Sequence, residues 1–156
     1  MTAKTLPSHC GPAICDNPVQ SLSEDGELAD AYTSGTFVYE SSAGIWTAVT
    51  TSVGNLGRVG VVGFKPRVVA GVTKTIDDAY TAGDARIPIH GTGVVTGKLV
   101  DQNGTMLRGA KVTLSTTAGA ATVWADTNVN LGTIEVAVAD NDVYAKIRLQ
   151  GDGWRR

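Results

Sequence analysis

Residues 75–95 read TIDDAYTAGDARIPIHGTGVV. Within them, Asp78-Ala79-Tyr80-Thr81-Ala82-Gly83-Asp84 nearly repeats Asp30-Ala31-Tyr32-Thr33-Ser34-Gly35-Thr36. Each copy runs into a strand-like segment, FVYES in the first and ARIPIHG in the second. Asp accepts backbone hydrogen bonds at turns, Tyr is large enough to anchor one, and Gly takes positive φ, so each copy is expected to be a corner leading into a strand. The copies sit 48 positions apart with unlike flanks, too irregular for a solenoid array. A degenerate duplication of a small β-unit is the other reading. Neither copy carries a catalytic arrangement.

Outward from this stretch, short apolar runs alternate with turn residues. GTFVYES and GIWTAVTTS predict a hairpin around Ser41-Ser42-Ala43-Gly44. GRVGVVGF follows, and Pro66 should end it or bend it to an edge. RVVAGVT, ARIPIHG, TGVVTGKLV, AKVTLST, ATVWADT and DVYAKIRLQ supply further strands, with the turn pair Asn103-Gly104 between apolar segments. Val112 and Leu114 share one face of KVTLS; in YAKIRLQ, Tyr144, Lys146 and Arg148 oppose Ala145, Ile147 and Leu149. Residues 129–140, VNLGTIEVAVAD, fit a strand or a short helix. Many short strands at this spacing predict an all-β fold, a small antiparallel β-barrel or β-sandwich. A barrel would remove the exposed edges that such Val-rich strands otherwise create.

Composition agrees. Gly, Val and Thr each occur 19 times among 156 residues. Branched residues suit a pleated, half-buried surface, and glycine supplies the turns. The length fits one domain. Residues 1–25 read as an extended N-terminal arm, because Pro7, Pro12 and Pro18 interrupt any regular structure there. Ser21 and Glu24 have capping-box spacing, but no amphipathic run follows them, so no helix is expected. Residues 26–156 form the β-domain.

A formal net charge of −2 gives no basic footprint for nucleic acid. No run of about 18 apolar residues is available to cross a membrane as a helix. MTAKTLPSHCGP lacks the apolar segment of a secretory signal, so the chain is expected to be made in a cytoplasm, with Cys10 and Cys15 reduced.

The search for chemistry is negative. His9, Cys10, Cys15 and Asp16 are metal-ligand types, but their spacing offers no second ligand pair. His90 has no accompanying nucleophile motif. Asp77, Asp78, Asp84, Asp101, Asp126, Asp140 and Asp142 fall at expected turns. Asp101-x-Asn103-x-Thr105 begins like a calcium loop, yet Val112 stands where the bidentate Glu belongs. GTGVVTG lacks the lysine of a phosphate-binding loop. No catalytic, cofactor-binding or metal-binding residue is therefore expected, no cofactor, and no enzyme.

Three segments carry a family resemblance: AGDARIPIHGTGVVTGKL, LRGAKVTLSTTAGAATVW and NLGTIEVAVADNDVYAKIRL. Their order of glycines and strands resembles that of the tailed-bacteriophage capsid decoration (cement) proteins. The final elements are Leu131-Gly132-Thr133-Ile134-Glu135-Val136-Ala137 and Val143-Tyr144-Ala145-Lys146-Ile147-Arg148-Leu149. The match covers roughly half the chain. It implies a virion structural protein on the outer surface of an icosahedral phage head, stabilising it across capsomer joints. Its partners would be the major capsid protein and itself, as a homodimer or homotrimer, with no nucleic acid and no membrane. Leu6, Ile14 and Val19 in the arm, and Trp154 beside Arg155-Arg156, are candidate contact residues. The alternative is a phage tail/fibre or carbohydrate-binding β-module, which needs clustered exposed aromatics; Trp46 and Trp124 lie far apart in sequence.

Overall fold

The computed structural model describes residues 23–51, 59–84, 86–100, 104–125 and 130–149. The arm expected before residue 23, with Leu6, His9, Cys10, Ile14, Cys15, Asp16 and Val19, lies outside these residues, as do Asp101, Asn103, Asp126 and Trp154. Among the described residues all regular structure is β. The strands are β1 (Ser23–Leu28), β2 (Phe37–Ser42), β3 (Ile45–Ala48), β4 (Val59–Val62), β5 (Val68–Val69) and β6 (Val72–Thr73), followed by β7 (Ile87–His90), β8 (Val94–Lys98), β9 (Lys111–Leu114), β10 (Ala121–Val123), β11 (Gly132–Ile134) and β12 (Tyr144–Leu149).

Five strands close a barrel in the order β1-β3-β2-β4-β7, with β7 returning to β1. The expectation of an antiparallel barrel needs one correction: β1 and β3 run parallel, Glu27 opposite Ile45 and Leu28 opposite Trp46. The reason is geometric. Strand directions around a ring of five cannot alternate at every joint, so one neighbouring pair must be parallel. The other four joints are antiparallel. The predicted hairpin is β2–β3, with a register shift between Glu40 and Ser42.

A second sheet has the order β10-β9-β11-β12-β8, antiparallel throughout. The chain leaving β8 curls it back on itself. Leu99 bridges to Ala121 in parallel, and Val100 N donates to Ala121 O at 2.9 Å. VNLGTIEVAVAD resolves in favour of a strand, β11.

Two boundaries differ from the sequence expectation. Residues 23–25 belong to the barrel and not to the arm: Ser23, Glu24 and Asp25 pair with His90, Ile89 and Pro88. SEDGEL looks like linker because only Leu28 among its residues is a large apolar one. Gly26 also faces inward, left small because the Trp46 indole fills the space. RVVAGVT is a hairpin of its own, β5–β6, and not a single strand. Ala70 and Gly71 take φ of 51° and 78°. Positive φ at both central residues is the two-residue turn whose twist suits a hairpin, and alanine there hides the usual Asn-Gly signal.

Two apolar clusters share a wall. Leu28, Val38, Trp46, Val62, Tyr80, Ile87 and Ile89 fill the barrel. Phe37, Val49, Val59 and Val61, on the outer side of the same wall, pack with Val95, Val112, Leu131, Ile134 and Ile147 from the second sheet. Phe37 and Val38 are adjacent in β2 and point into different cores, as strand alternation requires. The far edge of the Phe37 ring lies against Gly97 of β8: a Cβ there would meet its Cε2 and Cζ at 2.7 and 2.8 Å. Gly97→Val should therefore overpack the joint between the sheets, costing about 1–3 kcal/mol. Thermal unfolding should show a Tm several degrees lower; an unchanged Tm would mean that the Phe37 ring is free to move aside.

Candidate functional site

The two D-A-Y-T-x-G copies meet in space. Tyr80 N donates to Tyr32 O at 2.9 Å, and Gly83 N donates to Leu28 O at 2.8 Å. Each is a corner, as its residues predict. Asp30 Oδ1 accepts from Ala31 N at 2.7 Å, and Asp78 Oδ2 accepts from Thr75 N at 2.7 Å and from Thr75 Oγ1 at 3.0 Å. The backbone hydrogen bond from Thr75, then its hydroxyl, and then the nearby Lys74 and Arg67 charges hold the Asp78 carboxyl below the usual carboxylate range. Gly35 and Gly83 close the corners with φ of 84° and 80°.

The second copy does more than turn the chain. Tyr80 is buried in the barrel; its hydroxyl donates to Gly63 O at 3.0 Å and accepts from Lys65 N at 2.8 Å. Those two partners flank Phe64, on the approach to the β5–β6 hairpin. Arg67 lays its guanidinium 4.0 Å from the Tyr80 ring centroid and donates through Nη2 to Asp78 O at 3.0 Å and Ala79 O at 2.7 Å. Lys74 N donates to Arg67 O at 2.9 Å, closing the base of the hairpin, and Lys74 Nζ lies 3.7 Å from Asp78 Oδ1. One guanidinium nitrogen shared between two carbonyls, with the group laid over an aromatic face, is a preorganised mount; Nη1 is buried without a hydrogen-bond partner among the described residues.

What the mount presents is apolar. Val68, Val69 and Val72 are 65%, 50% and 56% exposed, and Phe64 at the foot is 43% exposed. The hairpin belongs to neither larger sheet. This is the candidate site, and it is an interaction surface rather than a centre for chemistry. Sequence reading missed it by taking 67–73 as one more strand of the β-domain. The available signal was Arg67 and Lys74 bracketing a short Val/Gly run that lacks polar-apolar alternation.

The residues singled out for chemistry have other occupations. His90 ends β7 with its ring against Gly63. Burial pushes its pKa below the ordinary histidine value, and its Nδ1 has no hydrogen-bond partner among the described residues. It lines a cleft of about 210 Å³ with Ser34, Phe64, Ile76 and Thr96, below the ~300 Å³ at which small-molecule sites begin. Ser34 Oγ donates to Gly63 O at 3.2 Å, so its proton is directed at a backbone carbonyl. Asp77 accepts from the Tyr144 hydroxyl at 3.3 Å, Asp84 from Thr81 N at 3.0 Å, Asp140 from Gly104 N at 3.0 Å and Asp142 from Ala139 N at 2.8 Å. Glu135 joins Arg148 at 2.9 Å and Arg108 at 3.1 Å. No group of three His, Cys, Asp or Glu among the described residues could hold a metal ion. Trp46 is inside the barrel, whereas Trp124 is half-buried with Lys111 Nζ 4.6 Å from its ring centroid, so these two form no shared platform.

No family model matches the chain, and no curated protein matches it.

Two outcomes are expected. Tyr80→Phe removes a buried hydroxyl that both donates and accepts, so it should destabilise the fold by about 1–3 kcal/mol and speed amide exchange around Lys65 and Arg67. Exchange unchanged there would mean that the hairpin is held without the hydroxyl. For His90, a lowered folded-state pKa means that the unfolded chain binds the proton more readily. Its contribution is present above the unfolded value of about 6.5 and is lost as pH falls through the folded value. Denaturant titrations from pH 7.5 to 5 should show this slope in the wild type and a flatter one in His90→Gln; equal slopes would assign the effect to other groups.

Proposed function

We propose that the chain is a capsid decoration protein that binds the outer surface of an icosahedral phage head. The observation that carries this reading is the β5–β6 hairpin: a stiffly mounted apolar element standing outside two sheets that otherwise curl closed. A surface of that kind suits docking to another protein. The order of strand motifs from residue 82 to residue 149, which resembles that of cement proteins, points the same way. The partner is the major capsid protein, and the site of action is the capsid surface of the virion.

The mechanism is mechanical. Each copy contributes weak contacts on either side of a joint between capsomers. Linked copies on one lattice raise the effective concentration of each contact, so a shell carrying many copies resists opening far more than one contact suggests. Residues 1–22 precede β1, and a fully extended chain of that length spans about 70 Å, enough to reach a neighbouring subunit.

The test is co-sedimentation of the purified chain with heads of the cognate phage assembled without it. Saturable binding at a fixed number of copies per head, together with a higher temperature of head disruption, is expected. A version starting at Ser23 should bind several-fold more weakly; removing residues 1–25 would be a poor substitute, because it cuts into β1. No binding to heads, combined with binding to an immobilised glycan, would replace this reading with the tail-fibre or carbohydrate-binding one.

A further inference from the structure

Resting on that reading, we infer that the β5–β6 hairpin is the element that grips the shell, and that its occupant is an extended, apolar segment of the major capsid protein. Val69 and Val72, opposite each other on one face of the hairpin, pack against that segment while an outer strand of the hairpin pairs with it; Val68 lies on the other face.

The form of the occupant follows from the backbone. A two-stranded sheet consists of two edges, and the ladder here is only Val68 opposite Thr73 and Val69 opposite Val72. Among the described residues nothing pairs with the outer side of either strand, and such a side is the template on which an extended chain adds by main-chain hydrogen bonds. A helix offers no such groups. Its chemistry follows from the side chains: no charge lies between Arg67 and Lys74, so the stretch of partner over the tip is uncharged. At the foot the requirement reverses. Lys65 Nζ donates to Arg86 O at 3.4 Å, which holds two exposed cationic residues together there, and a carboxylate on the partner complements them.

Area decides between a second copy and a lattice. Four partly exposed residues offer on the order of a few hundred Å², against about 800 Å² per partner in a stable complex. The patch is too small to hold a dimer together in solution. It suffices as one of many simultaneous anchors on a repeating surface. The Arg67–Tyr80 mount removes most of the ordering cost at the moment of binding, which favours a small contact.

The experiment compares head binding by wild type, by Val69→Asp/Val72→Asp, and by Leu107→Asp as a control in the loop before β9, where Leu107 is 69% exposed. The double variant should bind at least tenfold more weakly with an unchanged Tm, and Leu107→Asp should bind like wild type. In wild type, amides of residues 68–73 should gain protection from exchange on heads. If the aspartates lower the Tm, Val69→Ser/Val72→Ser replaces them, with the same loss expected. Head binding by the folded variant within twofold of wild type, or no added protection, overturns the inference and leaves the proposed function standing. If the variant instead splits a solution oligomer, the occupant is a second copy and the inference falls. Failure of wild type to bind heads removes the functional reading and this inference together.

Discussion

Strands β2 and β4 carry apolar side chains on both faces, and the rest of the structure depends on that wall. Val38 and Val62 face the barrel core, and Phe37, Val59 and Val61 face the core shared with the second sheet. In most antiparallel sheets one face meets water and the strands alternate accordingly. Here VGVV is buried along its whole length. Neither sheet can then lose its packing without uncovering the other's apolar surface, so the two behave as one cooperative unit. Within the wall Gly60 leaves room for Ile89, and across the shared core Gly97 of β8 leaves room for the Phe37 ring that the wall projects toward it.

The wall also explains why the chain uses its corner twice. A barrel of five strands must contain a parallel joint, so β1 cannot reach its parallel neighbour through a tight hairpin. The chain leaves β1 through residues 30–35, enters β2, and returns as β3 beside β1. The second copy precedes β7, the strand that closes the ring against both β4 and β1. The two corners touch through Tyr80 N and Tyr32 O. The repetition answers one steric problem met twice at the barrel rim. The copies diverge where surroundings differ: Tyr32 is half-buried against the barrel core, whereas Tyr80 is fully buried and supports the hairpin through its hydroxyl and its ring face.

Much of the fold was legible because turn chemistry is local. SSAG between two apolar runs announces β2–β3, and the alternation of YAKIRL announces β12 with Ala145, Ile147 and Leu149 buried. The failures came where the deciding partner is remote. SEDGEL has a polar composition, and only its pairing with β7 makes it a strand. VGVV and VVAGV are nearly the same text, yet the first is wholly buried and the second, at its valines, is exposed. Hydrophobicity says that a segment will seek cover, not whether the fold supplies it. For the same reason the site was illegible: its distinguishing feature is the lack of a covering sheet, which no local pattern encodes. The mount was hidden too, because Arg67 and Tyr80 are thirteen positions apart and reach each other only through the closed barrel.

Edge control turns that exposure into an argument about purpose. An all-β chain rich in valine risks pairing edge to edge with copies of itself. This one closes a ring and curls a second sheet through the Leu99–Ala121 bridge. The remaining hairpin has strands of two residues, enough to pair with one short segment but not to seed an extended cross-β stack, and cationic Arg67 and Lys74 stand together at its base. A hairpin serving only to connect β4 to β7 would be cheaper to keep soluble with threonine or serine in place of three valines. It would also have no use for a guanidinium clamped between a tyrosine face and two carbonyls. Stiffness below and apolarity above have a common explanation: the hairpin meets a fixed surface in a fixed orientation, and the strength of the meeting comes from the number of copies rather than the size of each contact.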